Sequence, residues 1–247
     1  MNLKKITILI CFLFFVLGCS KPSECIESAG PMINRDFSVD AFDKIIVYPG
    51  ISLVISQGPV TRVQVQTGEN LMSNIEVKAE NGFLSIKDNT TCNWVRDYGI
   101  TTVYVTAPNI TEINSKTEKN ISSNGVLTYP ILRLISTDLS DGAGTSDFYI
   151  NVNNSQLVIE NNNVSRYFIS GLTNFLKVNF YEGNGRFLGD NLNAKEVEIY
   201  HRGTNDIIVK AIDKITGKLY STGNLILKNT PPIVDVQQYY QGRVIYN

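Results

Sequence analysis

Catalysis in this chain would need clustered carboxylates, a histidine beside a nucleophile, or a metal-binding cluster. The densest acidic grouping is Asp138, Asp141 and Asp147 around Gly142. Glycan lyases and hydrolases need a carboxylate pair, or calcium ligands with a basic partner. Asp138-x-x-Asp141-Gly142 reads instead as a capped turn, because no full calcium-loop spacing follows it. His201 is the only histidine. It adjoins Arg202 at a strand end with no serine or cysteine motif to activate, so a solvated or packed side chain is expected rather than a triad member. Gly183-x-Gly185-x-x-x-Gly189 is no nucleotide fingerprint, since Arg186-Phe187-Leu188 reads as strand where a helix should open. No histidine–cysteine cluster has transition-metal spacing. No catalytic residue, metal ligand or cofactor is assigned.

The cysteines carry other chemistry. Lys4 and Lys5 precede the apolar run 6–17, and Gly18-Cys19 closes it, which is the layout of a secretory leader rather than a membrane span. Val16-Leu17-Gly18-Cys19 resembles a bacterial lipobox, although Leu17 is bulky for its position. That resemblance implies cleavage before Cys19, acylation of its thiol, and the membrane as a partner through the lipid anchor. The alternative is an ordinary signal peptide with an incidental cysteine. Ser20 is compatible with outer-membrane sorting, so an outer-membrane lipoprotein of the cell envelope is expected, its periplasmic or surface face left open. Cys11 leaves with the leader. The remaining even pair, Cys25 and Cys92, is expected to form a disulfide in an oxidising compartment, worth on the order of 4 kcal/mol in the chain-entropy model. The alternative keeps Cys25 in a flexible leader and Cys92 as a buried free thiol.

Binding has one local candidate. Trp94, the only tryptophan, lies with Arg96 and Tyr98 in an irregular segment between strands. This trio suits contacts to a glycan or an envelope protein. The competing reading, favoured by the usual burial of tryptophan, is that Trp94 plugs one end of the core beside Cys92. The chain carries 22 basic and 23 acidic residues, and loss of Lys4 and Lys5 leaves it mildly acidic. With no basic cluster, nucleic acid is excluded as a partner.

The elements that must position these residues repeat. Asn163, Gly183, Gly203, Gly223 and Gly242 recur at intervals of about twenty residues, with Gly142 a plausible earlier member. Aromatics precede most of them, as at Phe180-Tyr181, Tyr200, Tyr220 and Tyr239-Tyr240. Apolar runs follow, such as Ile207-Ile208-Val209 and Leu225-Ile226-Leu227. Strand, turn and strand at a fixed period predict an all-β, stacked-rung β-solenoid, a β-helix-like array whose units bury their apolar faces against their neighbours. Gly183, Gly203 and Gly223 should then lie above one another at about 4.8 Å. The longer step from Leu176 to Val197 should need a bulge. Earlier strands, at 44–48, 52–56, 62–66, 75–78, 83–86 and 102–106, are short and punctuated by Pro49-Gly50, Gly58-Pro59 and Asn81-Gly82. They predict an antiparallel or sandwich-like start. The organisation read is leader 1–18, polar tether 19–36, and one β-solenoid-like domain 37–247, with N-terminal strands in 37–108 and repeats in 109–247. The final rung, Gly242 to Asn247, exposes a strand edge. Shielding by another copy of the chain (a homo-oligomer) or by an envelope protein is expected there, with a short water-tolerant edge as the equal alternative.

Phe42-x-x-Ile45-x-Val47-x-x-Gly50-Ile51, then Val54-Ile55 running to Gln57-Gly58, opens a patterned match. Ile75-x-Val77, Gly82-x-Leu84-x-Ile86, Val103-x-Val105-x-Ala107-Pro108, Tyr220 to Asn224, and Gly242-Arg243-Val244 continue it. Over roughly residues 37–247 the chain resembles the putative auto-transporter adhesin, head GIN domain family. The resemblance implies a β-solenoid-like fold in envelope proteins, often lipoproteins, of no established function, and it supplies no catalytic residues. The chain departs from it where Gly-Ser-Gly turns are common, with Asn161-Asn162-Asn163, Arg202-Gly203-Thr204 and Ser221-Thr222-Gly223. The function expected is a non-catalytic cell-envelope lipoprotein acting in adhesion or binding. The alternative is a polysaccharide-acting lyase or hydrolase, because parallel β-helices also host those enzymes.

Overall fold

The computed structural model describes residues 28–90, 99–137, 142 and 144–247. The N-terminal third supplies β1 (Met32–Phe37), β2 (Lys44–Val47), β3 (Ile51–Gln57), β4 (Arg62–Gly68), β5 (Ile75–Glu80), β6 (Phe83–Asp88) and β7 (Thr101–Ala107). Then come β8 (Glu112–Ser115), β9 (Ile121–Leu127) and β10 (Ile131–Ser136). Four long strands follow, β11 (Asp147–Asn161), β12 (Arg166–Phe180), β13 (Arg186–His201) and β14 (Ile207–Leu219). The last are β15 (Leu225–Leu227), β16 (Ile233–Gln238) and β17 (Val244–Tyr246).

These strands build a β-solenoid with two parallel sheets. The first sheet stacks β6, β2, β8, β10, the second halves of β11 to β14, and β16. The second stacks β7, β3, β9, the first halves of β11 to β14, β15 and β17. Each of β11 to β14 therefore crosses a corner and serves both sheets. Strand side chains alternate between faces, so one set from each sheet points into a shared core. Leu134, Ile159, Val178, Ile199 and Ile215 enter from the first sheet, and Leu53, Ile121, Phe148, Tyr167, Phe187 and Ile207 from the second. Phe148 and Tyr167 stack inside at 4.7 Å between ring centroids.

The repeating turns form a column at the other corner. Gly183 accepts a hydrogen bond from Thr204 N–H, and Gly203 accepts one from Gly223 N–H, both at 3.2 Å. A methyl group on Gly242 would come within 2.2 Å of the Gly223 carbonyl, so the column continues upward. Gly142 lies against the Lys116 carbonyl of the preceding rung. The expected bulge is present: Phe168 pairs Leu188, but the register shifts before Ser170 pairs Asn191 and Leu176 pairs Val197.

The antiparallel start is corrected. Among the described residues antiparallel pairing is confined to β1–β4, β4–β7 and β5–β6. β2, β3, β6 and β7 are parallel rungs of the same solenoid. The Tyr48–Gly50 connection looks like a hairpin turn, yet it carries the chain from one sheet to the other. The rungs are also out of chain order, because β2–β3 lies between β6–β7 and β8–β9.

Behind the turn column runs a buried polar ladder, which accounts for the asparagine-rich turns. The hydroxyls of Ser115 and Ser146 meet at 2.7 Å, and those of Ser136 and Ser165 at 2.9 Å. Asn161 Nδ2 donates to the Asn163 carbonyl, and the Tyr167 hydroxyl donates to Asn161 Oδ1. His201 belongs to this ladder, fully buried. Its Nδ1 accepts from Gly203 N–H, so its Nε2–H donates to the Asn205 carbonyl at 2.8 Å, and the network fixes a neutral tautomer. Burial lowers its pKa from 6.5, against smaller opposing effects of the Asn205 carbonyl and Asp206. The unfolded chain thus takes up a proton below about pH 6.5 that the folded chain refuses, and stability falls by up to about 1.4 kcal/mol per pH unit until the folded pKa is reached. His201→Asn lacks this linkage. Urea unfolding of both proteins between pH 7.5 and 5.5 should show wild type's stability advantage shrinking as pH falls; a constant gap contradicts the assignment.

Candidate binding face

The outward surfaces of the two sheets differ in kind. On the first sheet, opposite charges meet across rungs. Arg133 bridges Glu112 at 2.8 Å and Glu160 at 2.7 Å, Lys177 pairs Glu198 at 2.8 Å, and Glu196 stands opposite Lys214. This is a solvated, charge-matched face.

On the second sheet an apolar column runs up the middle of the outer surface. Tyr104 stands beside Val54, and Val54 beside Ser122. Ser122 pairs Tyr149, which continues through Phe168, Leu188 and Ile208 to Ile226 and Ile245. The Tyr149 and Phe168 rings stack at 4.8 Å, 7° from parallel. Tyr149 is 43% exposed, and its neighbour on the other side, Ser122, is too small to cover a ring. Along one side of the column Arg166 pairs Asp147, with Nη2 2.5 Å from the carboxylate.

Two adjoining depressions lie on the column's other side. The first, about 340 Å³, has Tyr149, Phe168 and Leu188 on its floor and Asn151, Ser170, Asp190 and Asn191 on its rim. It exists because β13 carries extra residues between Leu188 and Asn193 relative to β14, and this bulge lifts Asp190 and Asn191 to the surface. The second, about 600 Å³, spans the corner next to it, where Leu172 and Ile212 stand exposed among Asn153, Asn193 and Thr128. Apolar floors with amide and hydroxyl rims suit a ligand that is apolar on one side and hydrogen-bonding at its edges.

The aromatics that precede the turns form a ladder at the turn corner. Tyr181, Tyr200, Tyr220 and Tyr239 follow one another with centroids 6.0, 5.3 and 4.7 Å apart. Tyr200 occupies the gap left by Arg202, which holds the equivalent rung position. Tyr220 and Tyr239 stack 6° from parallel, while the two lower pairs are tilted by 50° and 51°, so the rings pack on one another along the rungs as a structural zipper.

Cys19, Cys25, Cys92, Trp94, Arg96, Tyr98, Asp138 and Asp141 lie outside the described residues. Asp147 is engaged by Arg166, and His201 is sealed in the turn corner. Among the described residues no group of three or more histidine, cysteine or carboxylate side chains could hold a metal ion. The outer column also leaves a signal in the sequence. Phe148-Tyr149-Ile150, Tyr167-Phe168-Ile169, Ile207-Ile208-Val209, Leu225-Ile226-Leu227 and Val244-Ile245-Tyr246 are apolar triplets in strands that should alternate. The middle member of each must point outward.

Known proteins share this architecture. A putative adhesin from Bacteroides fragilis superimposes with a TM-score of 0.78 at 19% identity, over 90% of this chain and 100% of its own. A putative adhesin from Parabacteroides merdae gives 0.62 at 14%, covering 88% and 97%. A putative lipid binding protein from Parabacteroides distasonis gives 0.60 at 14%, covering 87% and 97%. At these identities the likeness shows the fold alone. No curated protein matches the chain. The putative auto-transporter adhesin, head GIN domain family matches residues 41–231, most of the solenoid just described, and the chain belongs to that family.

Proposed function

We propose that the protein is a non-catalytic binding module of the bacterial cell envelope, held at the outer membrane by acylation of Cys19 and acting in adhesion. The observation that carries the binding reading is the apolar outer column of the second sheet with its polar-rimmed depressions. Burial of both sheets' inner faces in one core makes this face rigid, so a ligand meets a preformed surface and little ordering cost. The names given to the similar structures, adhesins and a lipid binding protein, agree with a binding role. The lyase or hydrolase alternative finds little here, because Asp190 is the only carboxylate at the first depression and a glycosidase needs two.

A glycan and envelope-protein array with the purified chain, run beside a polysaccharide lyase and hydrolase panel, separates the readings. Retention without turnover is expected; turnover of any polysaccharide by the purified protein would overturn the non-catalytic reading. Incorporation of a clickable palmitate that disappears in Cys19→Ser is the expected sign of the anchor, and persistence of label would place the lipid elsewhere.

A further inference from the structure

The second sheet's outer face has a charge pattern that its own fold leaves unresolved. Carrying the Val209–Leu227 register one residue further sets Lys210 against Lys228 on adjacent rungs, and Lys228 N–H donates to the Val209 carbonyl beside it. Like charges directly opposed across neighbouring strands are destabilising. Among the described residues no carboxylate forms an ion pair with either lysine. Asp190, the carboxylate of the nearby bulge, is hydrogen-bonded by Asn191 instead. The opposite sheet shows what this chain does elsewhere with charges on neighbouring strands: Lys177 meets Glu198.

The lysine pair borders the larger depression. Lys210 is the register partner of Asn193, which lines the larger depression. The column residues Ile208 and Ile226 run two residues away on the same two strands. Apolar floor, amide and hydroxyl rims and an unmatched cation pair thus occupy one strip along the solenoid axis. We propose that this strip binds a linear anionic polysaccharide, carboxylated or sulfated, laid along the stacked rungs with its acidic groups on Lys210 and Lys228. Resting on the binding-module reading, the assignment adds the ligand's class and course. A sugar ring offers an apolar C–H face to the column and hydroxyl edges to the rims, and its acid group relieves the lysine repulsion. A membrane surface fits less well: interfacial binding needs apolar side chains that reach about 5–10 Å into the headgroup boundary, and Leu188, Ile208 and Ile226 are half-buried.

Affinity electrophoresis of the full chain carrying Cys19→Ser, through gels containing polygalacturonate, dextran sulfate or neutral dextran, tests this. The expected result is retardation by at least one polyanion, weakened by added salt and at least tenfold in Lys210→Gln/Lys228→Gln. Lys214→Gln/Lys218→Gln on the other sheet should leave it unchanged. Equal retardation of the two double variants overturns the assignment. Retention by neutral dextran that ignores Lys210 and Lys228 also overturns it, but leaves the binding-module reading standing. Lysine-dependent sedimentation with phosphatidylglycerol vesicles and no polyanion retention would replace the polysaccharide with a membrane. Failure on every polymer and vesicle, together with turnover in the enzyme panel, would remove both readings.

Discussion

Replacing Phe187 with alanine should lower the unfolding free energy by about 4 kcal/mol, the largest single effect expected in this chain. Phe187 is fully buried in a middle rung, between Tyr167 below and Ile207 above in register. Gly189 packs on its ring so closely that a methyl there would meet a ring carbon at 2.4 Å. Truncation therefore leaves a cavity that neighbouring rungs, fixed by ladders on both sides, are poorly able to fill. Because each rung contacts only its neighbours, the loss also weakens the coupling between the two halves of the stack. Urea denaturation followed by circular dichroism should show a lower midpoint and a shallower slope as the halves begin to unfold separately. A cost below about 1 kcal/mol would mean that the rungs relax freely, against the account of a close-packed core.

Gly183→Val should cost about 3 kcal/mol, through the backbone and not the core. Gly183 has φ +85°, a region that β-branched residues rarely enter, and its Cβ position lies 2.5 Å from the Asn163 carbonyl of the rung beneath. The added side chain must force the turn column apart where the Gly183 carbonyl receives Thr204 N–H. Thermal unfolding compared with Gly125→Val supplies the reference. Gly125 also has positive φ, +92°, but nothing lies within 4 Å of its Cβ position, so it carries strain without collision. Equal losses at the two sites would show that the turns do not stack tightly.

Those two positions also mark what was legible in the amino-acid sequence. The turn column was readable because a corner passing within van der Waals distance of the next rung admits only glycine or a small capping residue, so the period survives in residue identity. The tyrosines before the turns left a similar trace. Pairing direction left none. β2 and β3 have the alternation of any half-buried strand, and only the long-range choice of β6 and β8 as partners for β2, and of β7 and β9 for β3, makes them parallel rungs. His201 gave no local sign of its place in the buried ladder, because its partner Asn205 depends on how the turn folds back. The binding column was written in the apolar triplets, but a continuous apolar run reads first as a buried strand. Only the register shows which member faces water.

The most direct test of the central claim, that ligand lies on the outer face of the second sheet, is lysine acetylation footprinting by mass spectrometry. The chain would be treated with and without whichever of polygalacturonate or dextran sulfate retards it. Slower acetylation of Lys210 and Lys228 with unchanged rates at Lys177 and Lys214 is the predicted result. Protection of Lys177 and Lys214 instead, or equal protection of both sheets, would contradict it.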